Sequence, residues 1–144
     1  MSRKLTVTAS ALVVLVLAGL AAAQMARTKS PEGASVYFIS PRSGATVTSP
    51  FTVQFGLKGM GVAPAGVTLA NTGHHHLLID VAKMPDMSQP LPATDQIRHF
   101  GGGQTEVEIK LPPGQHTLQL VLGDHLHTPH DRPVVSEKIT ITVK

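Results

Sequence analysis

Every second residue of 51–57, FTVQFGL, is apolar, and the same alternation returns further along the chain. Phe51, Val53, Phe55 and Leu57 fall on one face. So do His116, Leu118, Leu120 and Leu122, and so do Val135, Ile139, Ile141 and Val143 if Glu137 lies near an edge. A half-buried antiparallel strand needs this period of two, because successive side chains point to opposite sides of the sheet. No stretch of 35–143 holds a helical period long enough to compete. The pattern predicts strands at 35–39, 45–48, 51–57, 74–81, 105–110, 115–122 and 134–143, separated by turns rich in the chain's 13 glycines and 11 prolines. Seven short strands of this kind predict an all-β fold, an immunoglobulin-like antiparallel β-sandwich.

The stretch 111–122, LPPGQHTLQLVL, fits a sandwich corner running into a strand, with His116 where a corner tyrosine often sits. The longest connection, 82–104, carries Pro85, Pro90, Pro92 and Gly101-Gly102-Gly103 and stands in for edge strands. Residues 24–34 lack periodicity and read as a flexible lead-in to a single β-sandwich domain over 35–144.

The first residues belong to a different problem. Arg3 and Lys4 precede an apolar run from Ala9 to Leu20, and Ala21-Ala22-Ala23 supplies a small-residue site. This is the order of a secretory signal, residues 1–23, cleaved after Ala23. The apolar run is short against the roughly 20 residues that span a bilayer, so no stable membrane span is expected after cleavage. Cleavage removes two cations and no acid, taking the net charge from +3 to +1 and leaving no case for nucleic acid. A periplasmic or secreted location follows. With no cysteine, the domain has neither a disulfide nor a thiolate ligand.

Eight histidines are the unusual part of the composition. Residues 73–80, GHHHLLID, place three at the start of a strand, and 123–131, GDHLHTPHD, place three just after another. In a sandwich those two strands are antiparallel neighbours, so the start of one lies beside the end of the other. His74, His75, His76, His125, His127 and His130 then share one pole, and His99, shortly before the strand at 105–110, belongs there too. His116 falls at the opposite pole and makes a corner hydrogen bond.

Spacing favours chelation. In an extended strand, residues i and i+2 share a face with Cα atoms about 6.6 Å apart, within reach of one ion at metal–nitrogen bonds of about 2.0–2.1 Å. His74 and His76 form one such pair; His125 and His127 form another if their loop begins extended. The expected ligands are therefore His74, His76, His125, His127, His130 and His99. His75 alternates inward with Leu77 and Ile79; it is expected to be a core-edge histidine bonded to a backbone carbonyl, with support of the site as the alternative. Asp80 and Asp124 could ligate or orient an imidazole. Met60 could add a thioether, against the plainer role of loop packing.

Taken in order, GHHHLLID, HFGGGQTE, LPPGQHTLQLVLGD and HTPHDRPVVSEKITITV resemble a bacterial exported family designated DUF4399, over roughly residues 36–143. Arg132 departs from the proline more usual there. The designation implies export but carries no biochemistry.

The function expected from the residues is metal binding, with copper first and zinc the alternative. Imidazole suits both, and affinity order places Cu(II) above the other divalent ions. Protonated imidazole cannot ligate, so affinity should fall below about pH 6. The rival reading is a non-catalytic cell-envelope interaction module, partnered by another envelope protein, whose histidines hold loops or sense pH. No enzyme is expected, since neither HExxH nor GxSxG occurs and no cysteine nucleophile exists; a metal-dependent hydrolase or oxidase, with three histidines and a water on the ion, is the minor alternative.

Overall fold

The structure is a computed structural model and describes residues 26–144. The expected signal at 1–23 lies outside the described residues. Nine strands follow one another without a helix among the described residues: β1 (Ser35–Ser40), β2 (Thr46–Val47), β3 (Phe51–Lys58), β4 (Gly61–Val62), β5 (Thr72–Ile79), β6 (Ile97–His99), β7 (Glu106–Ile109), β8 (Gly114–Gly123) and β9 (Ile139–Val143). One sheet has the order β1-β3-β7. The other has the order β2-β9-β8-β5-β4, with β6 also paired to β5.

The inner faces of the two sheets close over one core. Val36, Val53, Phe55 and Ile109 from the first sheet meet Leu77, Ile79, Leu118, Leu120, Leu122 and Ile141 from the second. These are the alternating residues of the sequence, as a two-sheet sandwich demands. A second, smaller cluster of Leu78, Leu91, Ile97 and Val121 covers the outer face of the larger sheet. The connection between β5 and β7 supplies Leu91 and Ile97 to it. That is why Leu77, Leu78 and Ile79 are all buried: β5 is covered on both faces.

The all-β prediction holds, with nine strands in place of seven. Two additions, β4 and β6, are too short to show alternation, and both pair along the same edge of β5. Two edge pairings, β2 with β9 and β4 with β5, are parallel, against the antiparallel expectation. The strand predicted at 134–143 begins only at Ile139. Upstream, the Ser136 hydroxyl accepts the Leu120 N–H at 2.9 Å, where a regular ladder would offer a backbone carbonyl. The lead-in at 24–34 is anchored from Arg27 onward. Lys29 bridges Asp131, and Ser30 donates its N–H to the Asp131 carbonyl at 3.2 Å.

Candidate metal centre

Strand β5 sets the directions of three histidines at once. His74 and His76 project to the outer face, while His75 points into the core, its ring centroid 5.1 Å from that of Phe55. All three are buried. On the neighbouring strand β8, Gly123 stands opposite His74. A Cβ there would lie 2.6 Å from Cε1 of His76 and 3.1 Å from its Nδ1. The missing side chain at Gly123 is what makes room for the ring.

Two further histidines arrive from separate chain segments, a short strand and a loop. His99 ends β6 and is the cross-strand partner of His76, so the two rings stand on the same side of the sheet. His127 closes a tight turn in which its N–H donates to the Asp124 carbonyl at 2.9 Å, with φ at 65°. Nε2 of His74 lies 3.1 Å from Nδ1 of His127 and 3.1 Å from Nε2 of His99. One ring nitrogen from each of His74, His76, His99 and His127 falls within 4.8 Å of all the others. His74 and His76 are buried, His127 is half-buried and His99 is exposed, so the group opens to solvent on the loop side.

The chemistry of this donor set fits a cation. Each imidazole nitrogen offers one in-plane site, a proton or a lone pair. Three nitrogens aimed at one another about this closely cannot all be satisfied by sharing protons. Four ligands at about 2.0–2.1 Å would stand about 2.9–3.4 Å apart from their neighbours, and the two separations of 3.1 Å lie in that range. The four histidines could therefore hold a metal ion. Nδ1 of His74 and of His76 are buried without a partner among the described residues.

His74, His76 and His99 are also biased toward the neutral form that ligation requires. Burial lowers His74 to about 4, helped by repulsion from His99 and His127. Burial, then His74 and His99, lowers His76 to about 3. His99 is lowered too, by burial and then by His127.

Other residues singled out in the sequence are placed apart. His125 keeps its side chain outside the four-histidine group, and its carbonyl accepts the Gly66 N–H at 3.0 Å. His130 is fully buried, with Nε2 3.2 Å from the Thr72 carbonyl. The i, i+2, i+5 spacing does not bring them in because 124–128 is a turn, so His125 and His127 do not share a face. His75 is sealed in the core, and burial lowers it to about 4, against a smaller raising effect from the Gln104 backbone. Met60 packs half-buried against the main core. Asp80 sits at the far pole, where it accepts from the Thr117 N–H at 2.8 Å and faces Nδ1 of His116 at 2.7 Å. Asp124 adjoins the group but spends its oxygens on the Leu126 and Thr128 N–H groups and the Thr28 hydroxyl.

The chain belongs to the family described as Domain of unknown function (DUF4399), whose profile matches residues 53–144. That span contains all four converging histidines. No curated protein and no solved structure matches the chain.

Proposed function

We propose that this member of the DUF4399 family is an exported protein that binds one copper ion through His74, His76, His99 and His127. The observation that carries the reading is the convergence of four ring nitrogens within 4.8 Å on three separate chain segments. Copper is preferred to zinc on three grounds. The donors are all imidazole, the chain has no cysteine to favour a thiolate zinc site, and Cu(II) heads the affinity order for such ligands. Export rests on the signal-like order of residues 1–23, which suits a periplasmic or secreted copper site.

Binding is favoured over catalysis by the ligand count. Four imidazoles fill a tetrahedral or tetragonal set, whereas catalytic zinc keeps three protein ligands and an open position. A pH-sensing role is disfavoured for the buried His74 and His76 of β5. Burial keeps His74 at about 4 and His76 at about 3, below the range in which an unperturbed imidazole senses pH. Titrating tag-free protein with Cu(II) and Zn(II) against a chelator of known affinity tests the proposal. Copper should bind at one per chain and displace zinc. Affinity weaker than roughly 10 μM for both (about −7 kcal/mol) would sink it.

A further inference from the structure

His127 differs from the other three members of the group. His74, His76 and His99 sit on strands, but His127 depends on a five-residue loop with its backbone in the left-handed region, which non-glycine residues seldom occupy. Something must hold that loop. Asp124 does so from inside it: Oδ1 accepts the Leu126 N–H at 2.9 Å and the Thr128 N–H at 3.1 Å. Its backbone N–H donates to the Thr128 carbonyl at 2.9 Å, and its carbonyl accepts from His127. This is an Asx-type turn closed at both ends.

The free carboxylate oxygen is then tied to the N-terminal segment. Thr28 donates its hydroxyl to Oδ2 of Asp124 at 2.9 Å. On either side the segment clamps the chain that follows. Arg27 donates to the Pro129 carbonyl at 3.1 Å and also to the His130 carbonyl. Asp131 donates its N–H to the Thr28 carbonyl at 2.8 Å, and Ser30 donates its hydroxyl to the Arg132 carbonyl at 2.7 Å. Residues 27–30 thus form a strap across 124–132 that shares no ligand with the metal group.

We infer that Asp124, braced by the Thr28 strap, is the positioning residue that delivers His127 as the fourth imidazole, so that the strap sets the coordination number of the site. The inference rests on the four-histidine reading and adds a control element to it. With strap and turn intact the ion is held by four imidazoles. With either broken, the loop leaves its left-handed turn, and three strand-borne imidazoles remain beside a coordination position open to water or to another ligand. The segment that enters the domain from its N-terminal side thereby governs whether the ion is enclosed or exchangeable.

The test counts imidazoles. X-ray absorption at the copper edge should give four for the wild type. Thr28→Val and Asp124→Ala should each give three, with affinity reduced about 10–100-fold, the usual range for supports of metal ligands. Asp124→Asn, which keeps an acceptor at Oδ1 but removes the charge, should restore the fourth imidazole. Combining Asp124→Ala with His127→Ala should weaken binding no further than His127→Ala alone, whereas combining it with His99→Ala should weaken it further. Four imidazoles and unchanged affinity in both Thr28→Val and Asp124→Ala, with only a lowered melting temperature, would overturn the positioning role while leaving the metal reading intact. A wild type that takes up no metal would overturn both.

Discussion

At one end of the β5–β8 pair, His74 and His76 are buried beside other imidazoles, and at the other end His116 lies between two oxygens. The His116 ring faces the Asp80 carboxylate at 2.7 Å and the Pro112 carbonyl at 2.8 Å. Both partners accept hydrogen bonds, an arrangement that favours the doubly protonated ring. The hydrogen bond to Asp80 is the chief reason its pKa is raised above the ordinary value, against the opposing effect of burial. Among the described residues His74 and His76 have no carboxylate within hydrogen-bond reach, and burial pushes them down to about 4 and 3. The same side chain is thus prepared as a cation at one pole and as a neutral ligand at the other. Its partners decide which: oxygen acceptors hold the proton, whereas burial among like rings expels it.

The largest way to break this contrast is to remove ligands. Replacing His76 and His127 together by alanine should weaken copper binding by more than about 1000-fold, or about 4 kcal/mol, measured by chelator competition. Circular dichroism should still report strand. Next comes crowding the site without touching a ligand. Gly123→Ala places a Cβ against the His76 ring; it should cost about 10–100-fold in affinity, readable in the same titration. A normal affinity in this variant would mean that His76 is not confined as described.

At the other pole, His116→Ala should cost about 1 kcal/mol in denaturant unfolding and leave metal affinity unchanged. Loss of affinity there would show that the two poles are coupled. The smallest effect is the pH dependence of that cost. Because the folded pKa of His116 is raised, its contribution is fully present below the unfolded value of about 6.5 and fades as pH rises through the folded value. For His74 and His76 the sign reverses. Their pKa values are lowered on folding, so the metal-free protein loses stability as pH falls from about 6.5 toward 4 and then 3. The gap between the unfolding curves of wild type and His116→Ala should narrow at alkaline pH, and both should weaken in acid.

Much of this arrangement was legible in the residues. The alternation of Phe51, Val53 and Phe55, and of Leu118, Leu120 and Leu122, specifies inner faces directly, because a shift of one residue would turn the whole set to solvent. Pairing β5 against β8 then brings His74 beside Gly123 and places His116 at the far end. His99 was assignable to the right pole, but its route was hidden. Three residues of β6 show no alternation, and only their pairing with β5 aims the ring at His76. The continuous run Leu77-Leu78-Ile79 was the available sign that something covers the outer face. The loop was the hardest to read. Nothing in the order of His125, His127 and His130 says which ring turns inward, since that depends on how the Asp124 carboxylate folds the backbone and on a strap from a hundred residues away in sequence.

The most direct measurement is the metal content of protein produced without a polyhistidine tag and desalted without chelator. Copper binding through these histidines requires one equivalent of copper per chain after loading with one equivalent each of Cu(II) and Zn(II), and none retained by the His76→Ala, His127→Ala double variant. Retention by that variant equal to the wild type, or a wild type that emerges free of both metals, would contradict it.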